Sequence, residues 1–336
     1  MMLRRRALAA PGPLLATPVA ARAQQAGFPD RPIQLLVGFT PGGNIDLAAR
    51  MVAPFLERRL GPGATVTVVN RPGAGGTIMP NELARDGARA EGHMAGFAAF
   101  PALVAALHDG NAARYRLDSF AYAGLLTDEP YTLFVAATSP YRTLAELAAA
   151  ARTGGPEAIT LAGAGAGLAS TPRMAMTLFE RAGGVRFTWV PMQGAAQALQ
   201  LVQDGHATGA ISTVGLTVRQ HREGGVRILG VMAERRFPGA PDVPTFAEGG
   251  FDVRIGSARG IVLPAATPAP SRLRWAAAIA AIAADPAFRA LAERDNVIVR
   301  HLDQAGLTAM VAAEDRALAA EARMTGQAPE QAPRPR

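Results

Sequence analysis

The chain has neither cysteine nor lysine among its 336 residues. The first absence excludes disulfides and thiolate chemistry, and the second excludes a Schiff base and a phosphate-loop lysine. The H-E-x-x-H zinc pattern is missing too. So is the G-x-S-x-G nucleophile turn: Gly256-Ser257-Ala258-Arg259-Gly260 places its serine second, where no elbow would present it. Histidines 93, 108, 206, 221 and 301 are scattered without metal-ligand spacing. Aromatics make up 6% of the chain, and none interleave with a basic block, so the formal charge of +7 is no nucleic-acid footprint. No apolar run reaches the roughly 18 residues of a membrane helix. Trp275 to Ala284 is shorter and predicts a buried helix.

What is present is apolar bulk, at 49% of residues, enough for a large core or two ordinary ones. Arg4-Arg5-Arg6, the small and apolar Ala7 to Ala20, and Ala21-Arg22-Ala23 have the three parts of a secretory leader. Cleavage after residue 23 would remove four arginines and no acid, lowering the formal charge to +3. Downstream, strand-like runs alternate with helical patterns. Ile33 to Phe39, Thr65 to Val69, Leu125 to Ala136, Ile159 to Leu161, Phe187 to Val190, Gly209 to Ile211 and Arg227 to Met232 predict strands. Ile45 to Leu60, Leu144 to Arg152, Arg173 to Ala182, Ala195 to Asp204 and Val214 to Arg222 predict helices. Such alternation predicts an α/β fold with mostly parallel sheets flanked by helices, which bind ligands beyond the carboxyl ends of their strands.

Two glycine loops fall at such ends. Phe39-Thr40-Pro41-Gly42-Gly43-Asn44-Ile45-Asp46 joins a strand to a helix, and Gly163-Ala164-Gly165-Ala166-Gly167 leads to Thr171-Pro172, a good helix start. First-turn N–H groups have no intrahelical partner and carry partial positive charge, so both loops suit an anion. The same residues also read as plain connections, with Asn44 an N-cap and Asp46 a favourable first-turn charge. The second loop does not satisfy G-x-G-x-x-G, which argues against a dinucleotide site.

The first loop, the Val69-Asn70-Arg71-Pro72-Gly73-Ala74-Gly75-Gly76 turn, the Val190-Pro191-Met192-Gln193-Gly194 segment and Pro241-Asp242-Val243-Pro244-Thr245-Phe246 together resemble the Bug family. These are periplasmic solute-binding proteins of tripartite tricarboxylate transporters. The resemblance runs from about Pro29 to Leu318 and implies a two-lobed periplasmic-binding-protein fold with a ligand cleft between the lobes. It implies small carboxylates as ligands, held largely by main-chain N–H groups and waters. Asn44 stands where the family usually has Ser or Thr. Leu168-Ala169-Ser170-Thr171-Pro172-Arg173 replaces a usual run ending near a His, and Thr208 stands where an acid is usual.

The expected reading is thus an exported, non-catalytic binding protein without cofactor or metal, monomeric, partnered with transporter membrane subunits and not with nucleic acid. Residues 1–23 would be the leader, 27–126 plus 257–336 lobe one, and 127–256 lobe two. Phe39 and Thr40 would wall the cleft, and Gly42, Gly43 and Asn44 would donate to one carboxylate. Asp46 would orient that loop. Gly163, Gly165, Gly167, Ser170 and Thr171 would grip the distal end, and Gln193 and Thr213 would line the cleft. A periplasmic sensor of the same fold remains open, as does, more remotely, an enzyme using the same cleft.

Overall fold

The computed structural model of the chain describes residues 28–108, 113–165 and 170–324. The leader expected at 1–23 and Gly167 lie outside the described residues. From the amino terminus the order is β1 (Ile33–Val37), α1 (Asn44–Leu60), β2 (Val66–Asn70), α2 (Ile78–Asp86), β3 (Met94–Ala99), α3 (Phe100–Ala105) and the long β4 (Phe120–Ala136). Then come α4 (Leu144–Gly154), β5 (Thr160–Ala164), α5 (Thr171–Gly183), β6 (Thr188–Met192), α6 (Ala195–Gln203), β7 (Gly209–Thr213), α7 (Val214–Arg222) and β8 (Val226–Val231). The chain closes with β9 (Gly256–Pro264), α8 (Ala269–Ala284), α9 (Pro286–Arg294), β10 (Val299–Leu302) and α10 (Gln304–Met324).

The strands form one path, β2-β1-β3-β9-β4-β7-β5-β6, with β8 and β10 also paired to β4. β1 is parallel to β2 and β3, and β5 is parallel to β6 and β7, as strand–helix alternation demands. The crossing strands run antiparallel to their neighbours. At roughly 3.3 Å per residue, the 17 residues of β4 are long enough to serve both lobes. Its first part, Phe120 to Pro130, pairs with β9, and Tyr131 to Ala136 pairs with β7 and β8. Gly260 makes that crossing possible, because a Cβ there would lie 2.2 Å from the Gly124 carbonyl oxygen.

Each lobe is a helix–sheet–helix sandwich with its own cores. On β1, Ile33, Leu35 and Val37 face α1 and α8, while Leu36 faces the opposite core with Phe100 of α3 and Leu307 of α10. In the second lobe, Leu147 and Phe179 fill one face of the sheet and Val202 and Val218 the other. Phe179 stacks on Phe187 and meets Phe246 and Phe251 edge to face. Trp275 of α8 is fully buried, as the apolar stretch predicted. Among the described residues no single helix is long and apolar enough to cross a membrane.

Candidate functional site

β1 ends at Val37 and the chain turns through Gly42, whose φ of +78° is the left-handed backbone that favours glycine. The turn is held by Asp46, which is 1% exposed. Its carboxylate accepts from the Gly42 N–H, Arg50 Nε and Asn70 Nδ2, each at 2.9 Å. Burial acts to raise this carboxyl, but the bonds from Arg50, Gly42 and Asn70 outweigh it and hold the group below its ordinary range. Asn70 Nδ2 also donates to the Phe39 carbonyl at 2.9 Å, joining the β2 end to the same loop. Asp46 therefore orients the loop and does not line the cleft.

This clamp changes which amides are available. The Gly42 N–H is turned to Asp46, and the Gly43 N–H reaches the Thr40 carbonyl at 3.3 Å, so neither expected donor is free in this conformation. Gly43 is the N-cap of α1 and offers no side-chain cap. Asn44 and Ile45, whose first-turn N–H groups have no intrahelical partner, both lie on the cleft wall.

Opposite them, Ser170 and Thr171 open α5, Gln193 and Gly194 open α6, and Thr213 opens α7. All five line the cleft, with Phe39, Thr40, Gly43, Asn44 and Gly165. Ser170 Oγ donates to the Ala164 carbonyl at 2.6 Å and accepts from the Arg173 N–H at 3.2 Å, so it builds the loop and has no proton left for a ligand. Gly165, with φ +85°, anchors to the Met192 carbonyl at 2.9 Å. Gly163 is a packing glycine away from the cleft lining: a Cβ there would lie 2.4 Å from the Trp189 ring. Neither Gly194 nor Thr213 makes a side-chain cap. Three helices thus aim uncapped N-termini, and a fourth a self-capped one, into a single space.

The lobes touch across that space. Asn44 Nδ2 of the first lobe donates to Thr213 Oγ1 of the second at 2.6 Å, with Ser212 Oγ at 3.5 Å. The enclosed volume is about 60 Å³, room for a few waters, since one needs roughly 10–15 Å³. The conformation is nearly closed.

The floor holds residues that sequence reasoning missed. Tyr131, Ser257 and Arg259 line it, from the crossing strands β4 and β9. Arg259 is 1% exposed, donates from Nε to Ser257 Oγ at 3.0 Å, and pairs through Nη1 with the buried carboxylate of Glu129. Burial pushes the Tyr131 phenol up, against the nearby Arg259 charge and the hydroxyls of Thr171 and Ser257. The signal was an arginine inside the otherwise apolar run to Pro264. Among the described residues no three His, Asp or Glu side chains cluster as metal ligands. His93, His108 and His221 each sit beside a single aspartate, away from the cleft.

Residues 48–318 match the family described as "Tripartite tricarboxylate transporter family receptor". A protein in the TAR-I ttuE-ttuC' intergenic region of Agrobacterium vitis is 30% identical over 80% of this chain and 76% of its own. Protein BugT of Bordetella pertussis is 28% identical over 75% of this chain and 76% of its own. Among solved structures, the periplasmic binding protein BugD aligns with a TM-score of 0.81 at 26% identity, covering 90% of this chain and 100% of that one. MatC from Rhodopseudomonas palustris, with bound malate, aligns at 0.79 and 27% identity, covering 87% and 98%.

Proposed function

The chain belongs to the tripartite tricarboxylate transporter receptor family, and from that premise we propose that it is an exported solute-binding protein capturing a small di- or tricarboxylate between its lobes. The observation that carries this is the convergence of four helix N-termini on one cleft that, among the described residues, no carboxylate lines, while Asp46 and Glu129 are both turned to their own arginines. The similar MatC holds malate, a dicarboxylate.

One carboxylate is held at the α1 N-terminus by the Asn44 and Ile45 amides and the Asn44 side chain. The other reaches the α6 and α7 N-termini, Thr171 and Gln193, with Arg259 beneath. Residues 27–126 plus 257–336 form one lobe and 127–256 the other, the crossings near Leu126 to Phe134 and Ile255 to Leu263 being the hinge. Ligand enters an open form by breaking the Asn44–Thr213 bond. The cleft binds without reacting, because among the described residues Ser170 has no base beside it and no histidine lines the wall. The leader at 1–23 delivers a monomer to the periplasm, where membrane subunits of a tripartite transporter receive the ligand.

A thermal-shift and calorimetry panel of malate, succinate, adipate, glucose and alanine tests this. Ligand at a hundredfold excess over Kd adds about 2.7 kcal/mol, so dicarboxylates should raise Tm and neutral compounds should not. A shift by glucose or alanine alone would overturn the carboxylate reading.

A further inference from the structure

The crossing strands have two faces, and the cleft occupies one. On β4, Glu129 and Tyr131 belong to the cleft side and Asp128 and Pro130 to the other, as a period of two requires. On β9, Ser257 and Arg259 face the cleft and Gly256 faces away. Behind the hinge lies a groove of about 1670 Å³ that contains Asp128, Pro130 and Gly256 as its base. Its walls come from different lobes: the end of α7 and the segments around Arg235 and Arg254 on one side, the end of α9 and β10 on the other.

Seven arginines line this groove, against the carboxylates of Asp128, Glu234 and Glu293. Four of the seven are paired: Arg300 with Asp128, Arg254 with Glu234 and Asp252, Arg236 with Glu248, and Arg294 with Asp295. Arg222, Arg235 and Arg289 are exposed and have no carboxylate partner among the described residues. Arg222 reaches only the Gly239 carbonyl. Two of these free cations stand on one lobe and the third on the other.

We propose that the groove is a docking site for an acidic polypeptide segment of a partner protein, and that docking favours the closed receptor. The volume exceeds the roughly 300–1,000 Å³ of small-molecule pockets, and the guanidinium groups are spread along two walls, which suits an extended chain bearing several carboxylates. The coupling follows from leverage. Lobes that draw together on the cleft face part on the opposite face, so the closed cleft of about 60 Å³ accompanies a wide groove. Opening the cleft brings the walls together and narrows the seat. A partner in the groove thereby distinguishes closed receptor from open, and by linkage its docking tightens ligand binding by the same factor.

The test uses a fluorescein-labelled peptide of six Glu-Gly repeats and the mature protein in low salt, read by anisotropy. Wild type should bind saturably, and Arg222→Gln/Arg235→Gln/Arg289→Gln should bind at least tenfold more weakly. A control removing three exposed arginines elsewhere, Arg89→Gln/Arg142→Gln/Arg274→Gln, should change affinity less than twofold. Because the chain lacks cysteine, Asn44→Cys/Thr213→Cys can be bridged by a short bismaleimide to hold the lobes shut whatever the natural ligand is. The bridged form should bind the peptide at least threefold tighter than the unbridged one. Equal loss in both arginine triples, or none in the groove triple, overturns the site. Equal binding by bridged and unbridged protein overturns the coupling. Vesicles containing anionic lipid that compete through the same three arginines more strongly than the peptide would assign the groove to a membrane surface and overturn the proposal. The carboxylate reading is untouched by any of these outcomes, since no arm uses a cleft ligand.

Discussion

Arg259→Met isolates the charge pair beneath the cleft. It leaves Glu129, 2% exposed, without its cation, and an uncompensated buried charge of this kind costs about 3–5 kcal/mol. That is a large share of the roughly 5–15 kcal/mol that holds a domain together. Arg259→Met/Glu129→Leu removes both charges and should recover most of the loss, because an apolar replacement of a buried pair is often neutral. Glu129→Gln behaves differently: Arg259 faces the cleft and is released from its partner. A ligand carboxylate can then take the place of Glu129, at about 1.5–3 kcal/mol for a charged hydrogen bond, or roughly ten- to a hundredfold in affinity. Urea denaturation of wild type, Arg259→Met, Glu129→Leu and Arg259→Met/Glu129→Leu gives the stability cycle, and malate calorimetry of wild type against Glu129→Gln gives the binding comparison. If the two single substitutions cost amounts that simply add in the double variant, the pair does not act as a unit. If Glu129→Gln leaves dicarboxylate affinity unchanged while folding normally, Arg259 is not part of the ligand floor.

Asp46→Asn should cost about 2–3 kcal/mol and weaken ligand binding, since three donors lose a charged acceptor. Because the Asp46 carboxyl lies below its unfolded value of 3.8, its contribution is present above that pH and disappears only as pH falls further, which acid titration of wild type against the variant will show. Glu314 on α10 runs the other way: burial, with the charge of Asp128 added, pushes it up to about 7. Its contribution is full below 4.5 and is lost as pH rises through about 7, so Glu314→Gln should flatten stability over that window and add up to about 3 kcal/mol at pH 8 by urea denaturation. Mature protein recovered from cells should start at or near Gln24; sequencing that finds Met1-Met2-Leu3 intact would sink the export reading.

The lobes were legible because their signal is local. Parallel strands buried on both faces are short apolar runs, and the helices between them carry a 3.6-residue period, so Val214 to Arg222 was placed to the residue. β3, β9 and β10 were not read as strands, and for β9 the pattern is set by a distant partner: Arg259 reads as a break until Glu129, 130 residues away, is beside it. The first glycine loop was recognised, but not which amides it frees. That depends on Asp46, itself held by a bond from Asn70 Nδ2, which takes the Gly42 N–H and leaves the next turn open. Gly163 was legible as a glycine and not as the place where Trp189 packs. The conformational demand showed in the sequence, and its cause lay in a side chain 26 residues away.

Asn44 brings the local and distant signals together, since it caps nothing and reaches across to Thr213, whose hydroxyl would otherwise be free to cap α7. The Asn44 side chain therefore bridges the cleft and also leaves two helix N-termini without side-chain caps, so closure without ligand and affinity for an anion are coupled through one amide. Asn44→Ala should remove about 1 kcal/mol of interlobe attraction and let Thr213 turn back on its own helix. In small-angle scattering the ligand-free variant should be more expanded than wild type, and malate should compact it by more. In calorimetry the loss of a donor and the loss of a competing closed state pull in opposite directions, so affinity should change by less than tenfold while the compaction changes clearly. If scattering shows the same ligand-free dimensions in Asn44→Ala and wild type, the bond does not hold the lobes together, and the nearly closed cleft must be set by the crossing strands alone.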